Sequence, residues 1–272
     1  MASNFQRQLP PFPMNLILIQ PEEVQASEVR LTGRRADHLR KILKVQAGDT
    51  VRVGIVNGMI GIGIVGAISR NEVILQVTAE TQPPAKLNLA LILALPRPIM
   101  LKRVLAQATA LGVKHLFLIN ASRVEKSFFE ASPVKDNTFS PFIENGLEQA
   151  VDTIAPTVSV HPRFKPFVED VIPSLAASLK LIAHPNGGAS LAERASSVKT
   201  PGATLLAIGP EGGWIDYEIT KFQEAGFQPF SLGPRILRVD TAVPAIIAQI
   251  DLVLQLNSRS PEINKRPAVS EV

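Results

Sequence analysis

Two short apolar runs in the C-terminal half each empty into a glycine-bearing loop, and this pair confines the fold more than any other feature. Ala203-Thr204-Leu205-Leu206-Ala207-Ile208 ends in Gly209-Pro210-Glu211-Gly212-Gly213-Trp214. Further on, a second run ends in Leu232-Gly233-Pro234-Arg235-Ile236-Leu237-Arg238-Val239-Asp240-Thr241-Ala242. Each reads as a strand giving way to a loop and then a helix, with glycines that let backbone approach a neighbour closely. Two such loops at one end of an α/β sheet are where a ligand pocket is expected.

The surrounding pattern supports that architecture. From residue 86 to 256, strand-like runs near Leu87–Ala94, His115–Ile119, Thr157–Val160, Leu179–Ala183, Thr204–Ile208 and Phe227–Leu232 alternate with helical segments. The helices are expected near Met100–Leu111, Ser140–Val151, Pro166–Ala176, Ser190–Ser196 and Asp216–Ala225. Such alternation predicts an α/β domain with a mainly parallel sheet and helices on both faces. A last helix, about Thr241 to Leu256, carries an apolar stripe and tolerates Pro244 in its first turn.

The prolines of Thr81-Gln82-Pro83-Pro84-Ala85 mark a boundary, and residues 14–82 before it are mostly strand-like. Asn57-Gly58 between Val51–Val56 and Ile60–Ile68 signals a hairpin. One helix, about Arg34 to Lys44, interrupts the strands, with Ala36, Leu39, Ile42 and Leu43 able to share a buried face. The whole reads as a small β-barrel. Residues 1–13 and 257–272 read as a disordered leader and tail. Met14 is an alternative start.

What the loops can hold is narrowed by charge. Gly209 to Gly213 fits neither the dinucleotide fingerprint nor the P-loop, and it lacks the P-loop lysine. Glu211 at its centre would repel a polyphosphate. An adenosine-type ligand without phosphates suits the loop better; the alternative is a turn that only lets strand meet helix.

These two motifs resemble those of the ribosomal RNA small-subunit methyltransferase E family, within the SPOUT superfamily. The resemblance extends over roughly residues 14 to 256 and includes His38-Leu39-Arg40-Lys41-Ile42-Leu43-Lys44 with Gly48-Asp49, Ala110-Leu111-Gly112-Val113, and Glu148-Gln149. It implies a PUA-like first domain and a second domain whose C-terminal segment is threaded into a trefoil knot. It also implies S-adenosylmethionine-dependent methylation of N3 of a uridine in 16S rRNA, with the small ribosomal subunit as partner and a homodimer; separately, the lack of a hydrophobic signal core in Met1–Pro13 reads as a cytoplasmic location. The cofactor would lie on three loops: Ala183, His184 and Pro185; Ile208, Gly209, Pro210, Gly212 and Gly213; and Ser231, Leu232, Gly233, Ile236 and Leu237, with Ala242 beyond them. A non-catalytic RNA-binding factor, or an enzyme for another rRNA or tRNA site, shares these features.

Composition is consistent with this and excludes other chemistry. The chain has no Cys and only four scattered His, which removes thiol chemistry and argues against a catalytic metal. No apolar stretch reads as a membrane span. Net charge is +4 with pI near 9.5, which suits an anionic partner. Arg30, Arg34, Arg35, Arg40, Lys41 and Lys44 crowd the first helix and its approach, as a phosphate-contacting face or a solvated one.

Uridine N3 is a weakly acidic imide nitrogen that must lose its proton before it can be methylated. Catalysis would then rest on positioning and on stabilising charge at the uracil oxygens. Arg238 and Arg235 are the candidate cations. Glu211 or Asp240 could accept the proton, and Asp240 could equally cap a helix. The chain departs from the family at Ala150-Val151-Asp152-Thr153, where small residues and an arginine are usual, and at Pro98-Ile99, where more polar residues are common.

Overall fold

The computed structural model of the chain describes residues 16–196 and 202–259; the expected leader over 1–13 and residues 260–272 of the expected tail lie outside them. Along the chain, β1 (Ile17–Ile19), β2 (Glu28–Thr32) and α1 (Gly33–Asp37) are followed by β3 (Thr50–Ile55), β4 (Ile60–Ile68) and β5 (Glu72–Thr81). The second stretch runs β6 (Leu87–Ala94), α2 (Pro98–Ala110), β7 (Val113–Ile119), α3 (Ser132–Lys135), α4 (Ser140–Ala150), β8 (Thr157–His161) and α5 (Phe164–Pro166). It closes with β9 (Leu179–Ala183), α6 (Leu191–Ser196), β10 (Thr204–Ile208), α7 (Asp216–Glu224), β11 (Gln228–Phe230) and α8 (Val239–Arg259). Residues 257–259, expected in the tail, are therefore the last residues of α8.

Two compact units result. The first comprises residues 1–86 with 140–155, the second residues 87–139 with 156–272. The first unit's sheet has the order β1-β3-β4-β5-β2. β1 runs parallel to β3 and the other pairs are antiparallel. β1 and β2 stand at its two ends, so this mixed sheet is not ring-closed as a barrel would be. Its core includes Ile19, Val29, Leu31, Leu39, Val73 and Leu75, each fully buried. α1 continues through a π-helical turn over His38–Ile42, and the wider turn rotates Ile42 into solvent at 68% exposure while Ala36 and Leu39 stay buried. Ile42 thus leaves the buried face that a regular helix would give it.

The first unit also takes in α4, which sequence patterning assigns to the second domain. Leu16 donates its backbone N–H to the carbonyl of Glu148, and α4 lies along β1. The turn after α4 gives the Ala150–Thr153 segment an internal role. Asp152 is buried, 2.7 Å from the Lys86 ammonium, and its other oxygen accepts the backbone N–H groups of Thr153 and Ile154. Thr153 donates to the carbonyl of Gly58, and Asn57 Oδ1 accepts from the N–H of Ala155. Asp152 is an internal staple rather than a ligand-binding group.

The second unit holds a six-stranded, wholly parallel sheet of order β11-β9-β10-β6-β7-β8. β10 is buried along its whole length and β6 from Leu89 onward, as expected of central strands covered on both faces. α8 packs on α2 and α6 through Val239, Val243, Ile246, Ile247 and Ile250. By length and composition its Val239–Asn257 stretch is apolar enough to cross a membrane, which patterning alone did not register. The buried stripe identifies it as a helix of this unit's core.

The pair Lys86–Asp152, with side chains 10% and 4% exposed, gives the first test. Lys86→Ala leaves a buried carboxylate without its cation and is expected to cost about 3–5 kcal/mol in urea denaturation. Lys86→Met combined with Asp152→Asn should recover most of that loss. A second test uses pH. Burial pushes His115 and His161 below their ordinary value of 6.5. The unfolded chain then binds more protons than the folded one, so their contribution to stability is lost as pH falls from about 7 through 6.5 toward the folded values. His161 stacks on Phe167 at 4.8 Å, so His161→Phe keeps the packing. The variant should show a shallower stability loss between pH 7 and 5 than the parent.

Candidate functional site

The strand order β11-β9-β10-β6 brings four C-terminal strand ends side by side, at the point where connections from β6 and β10 leave in opposite directions along the sheet. A cavity of about 520 Å³ lies there. Every residue expected of the three cofactor loops lines it except Gly212: Ala183, His184 and Pro185, then Ile208, Gly209, Pro210 and Gly213, then Ser231, Leu232, Gly233, Ile236 and Leu237, with Ala242 on α8. Glu211, Arg235 and Arg238 line it as well. Sequence reasoning missed Arg97, Ile99 and Met100, and with them Trp214, Phe230, Val239 and Ile246. The first three follow β6, and the position of β6 beside β10 is not visible in a strand's own pattern.

The floor is apolar and the rim is charged. Met100, Trp214, Phe230 and Ile246 are buried, whereas Arg97, Glu211, Arg235 and Arg238 are exposed. Among the described residues no group of three or more His, Asp or Glu is placed to hold a metal.

The glycines serve this loop differently from expectation. A Cβ on Gly209 would meet the Trp214 ring at 3.1 Å, so the missing side chain makes room for the indole beside the cavity. Gly212 faces away from the cavity: a Cβ there would lie 3.1 Å from the Arg123 side chain, whose guanidinium donates to the Gly212 carbonyl. Gly187, in the loop after β9, is required outright. A Cβ there would fall 2.3 Å from the carbonyl carbon of Phe230, so the two backbones touch.

Two carboxylates fix the 209–215 loop. Glu211 accepts the backbone N–H of Arg97 at 3.3 Å. Arg97 precedes α2, a helix with Pro98 in its first turn, no acid there and no side-chain cap, so Glu211 supplies the missing negative group from across the cavity. Glu218 is 2% exposed and spans two segments, accepting the N–H of Ser122 at 2.6 Å and of Ile215 at 3.1 Å. Arg123 adds the contact to Gly212.

Asp240 and Arg238 do not pair. Asp240 lies within the first turn of α8, 3.5 Å from Arg103, and its Oδ1 is buried without a donor among the described residues, so it is not a capping group. It does not line the cavity. Of the two candidate proton acceptors only Glu211 does.

In the first unit, the basic cluster is largely neutralised. Arg30 meets Glu28 at 3.0 Å and Glu72 at 3.8 Å, and Arg34 meets Glu148 at 3.1 Å. Arg40 and Lys41 share Asp37 at 3.5 and 2.9 Å, and Arg40 also donates to the Arg70 carbonyl. Arg35 forks onto Glu23 and the Leu18 carbonyl; that contact raises the guanidinium's pKa and lowers the carboxyl's. Lys44 is exposed and ends the helical segment at φ 51.

A family model for the RNA methyltransferase domain matches residues 83–251. The ribosomal RNA small subunit methyltransferase E of Treponema pallidum is 29% identical over 242 residues, covering 87% of this chain and 90% of that protein. The enzyme of the same name from Neisseria gonorrhoeae, solved bound to S-adenosyl methionine, superposes with TM-score 0.69 at 22% identity over 88% of this chain and 98% of that one. A methyltransferase of Legionella pneumophila, solved with the same cofactor, gives 0.70 at 23% identity over 87% and 97%. At these identities the structural likeness establishes the fold.

The loop anchor has a direct test. Glu218→Gln keeps one acceptor and turns an amide N–H₂ toward a backbone N–H, leaving a buried donor unpaired. The expected loss is about 1–3 kcal/mol in chemical denaturation. A loss below about 0.5 kcal/mol would show that the carboxylate does not hold the two segments.

Proposed function

The chain belongs to the RNA methyltransferase family, in its ribosomal RNA small-subunit methyltransferase E branch, and from that we propose that it moves the methyl group of S-adenosylmethionine to N3 of a uridine in 16S rRNA. The observation that carries this reading is the cavity itself: an apolar floor at four adjacent strand ends, closed by glycine-bearing loops and rimmed by guanidinium groups. The fit to an uncharged adenosine body is supported by Met100, Phe230 and Ile246, and by the buried Trp214 Nε1–H, which lacks an acceptor among the described residues. A bound ligand could satisfy that donor. When bound, the cofactor supplies a methyl carbon on a positively charged sulfur, electrophilic without further activation.

The chain's own residues would then position and polarise. Because N3 is on the Watson–Crick edge, the target base is taken unpaired. Arg238, at the rim, stabilises negative charge on the uracil oxygens, and Arg235 beside it is placed to grip an adjacent phosphate. Glu211 is the carboxylate at hand for the N3 proton, although its tie to Arg97 also makes it a loop anchor. Supporting the knot that the family implies, the backbone of the 184–190 loop lies against the end of β11, with Ser231 donating to the Ala189 carbonyl. Leu252 and Leu256, each 56% exposed on the outer face of α8, support a homodimer. A cytoplasmic location follows from the substrate.

Mass spectrometry of 16S rRNA from a strain lacking the gene tests the reading: loss of one methyluridine supports it, and an unchanged rRNA with an altered tRNA overturns it. For Arg238→Ala the methylation rate should fall about 10²- to 10³-fold, comparable to losing one preorganised donor. Arg238→Lys should recover only part, because an ammonium lacks the fork. Single-turnover kinetics with calorimetric cofactor binding separate the roles. Slow chemistry at unchanged affinity marks a catalytic arginine, and weaker binding with a lower melting temperature marks a structural one.

A further inference from the structure

We propose that the phosphate backbone of the RNA substrate is held at the cavity rim of the second unit, by Arg97 and Arg235 beside Arg238, rather than by the basic α1 of the first unit. This rests on the reading above that the substrate is RNA.

Charge accounting within each unit leads there. Arg97, Arg235 and Arg238 are exposed, line the cavity, and have no acidic side-chain partner among the described residues. The only carboxylate lining the cavity, Glu211, is engaged with the Arg97 backbone. Around α1 the residue count looks more basic, but the field is not. Glu28, Glu72, Glu148, Glu23 and Asp37 stand within 4 Å of its arginines and Lys41. Exposed ion pairs are cheap to break, so pairing alone would not keep phosphate away. The deciding quantity is the summed potential. An adjacent acid cancels a cation's field well within a Debye length of about 8–10 Å, so the five acids leave the α1 region close to neutral, whereas three guanidiniums against the one carboxylate of Glu211 leave the rim net positive and draw a polyanion to it. The guanidinium fork also matches phosphate oxygens in a way that Lys41 and Lys44 do not.

The apolar residues between the cations fit the same ligand. Ile99 and Ile236, 64% and 85% exposed, alternate with Arg97 and Arg235 along the two rim segments. A single-stranded nucleotide run presents the same alternation of charged phosphate and flat apolar base. Placing the backbone here delivers the reacting base to the cavity mouth without requiring a second docking surface.

The test is the salt dependence of binding to a fluorescent, single-stranded, uridine-rich oligonucleotide. Wild type would be compared with Arg97→Gln/Arg235→Gln and with Arg34→Gln/Arg40→Gln/Lys41→Gln. Each lost phosphate contact should flatten the plot of log K against log salt by about 0.7. The rim double variant is expected to lose about twice that, with the α1 triple variant close to wild type. Arg97→Lys/Arg235→Lys should retain most of the slope, which separates charge from misfolding. An α1 variant that loses as much slope as the rim variant, or a rim variant that keeps the wild-type slope, overturns the inference. So does a rim variant whose only change is a smaller sedimenting species, since the rim would then be a protein contact. Wild type that binds with no salt dependence instead sinks the RNA reading itself.

Discussion

The parallel pairing of β10 on β6 is the contact from which the site follows. Thr204 to Ile208 lie in register with Leu89 to Leu93, and both segments are buried throughout. Such a pair cannot shift by one residue without exposing apolar side chains. Its end is therefore a fixed edge, and every loop around the cavity starts from that edge or from β9 and β11 beside it. The sheet sets where the loops begin but not how they lie. That is the task of Glu211, Glu218 and Arg123, which tie the 209–215 segment to the segments after β6 and β7.

This use of carboxylates has a chemical consequence. A buried acid is tolerated when its oxygens accept hydrogen bonds, and Glu218 meets that condition with two backbone donors and no cation. Asp152 meets it with two backbone donors and Lys86. The acids nearest the second unit's loops are thus occupied in holding backbone, and Asp240 faces Arg103. Little is left over that could act as a strong base, so the site is built for orientation more than for proton abstraction.

How much of this was legible varies with the range of the interaction. β6, β9 and β10 have the bounds that their continuous apolar runs predict, because a central strand announces itself locally. The cavity-lining loops were also readable, since a strand ending in glycine and proline is a local signal. Direction was not. Gly212 and Gly209 look alike in sequence, and only the fold shows one facing Arg123 and the other Trp214. The helix over 140–150 shows its amphipathic stripe but not its partner, which proved to be the first unit. Glu218 reads as an ordinary first-turn acid because Ser122, which gives it meaning, is 96 residues away. The basic run of α1 misleads for the same reason: most of its neutralising acids come from elsewhere in the chain.

The rim arginines resolve the apparent lack of a strong base. On the proposed reaction, the cost lies in forming the imide anion at N3, and a nearby cation favours the charged form of any acid it faces. Guanidiniums aimed at the uracil oxygens would lower the energy of that anion before any methyl is transferred, so an ordinary carboxylate such as Glu211, or solvent, would be base enough. The same positive field disfavours a sulfonium, whose charge disappears as the methyl leaves. The two effects act on successive steps: the first favours losing the N3 proton, and the second favours giving up the methyl group to the anion so formed. An apolar floor strengthens them by keeping water from screening the rim. Uncompensated charge at the mouth and firmly tied loops beneath it are then two parts of one device, the first supplying the driving field and the second keeping the reacting atoms within it.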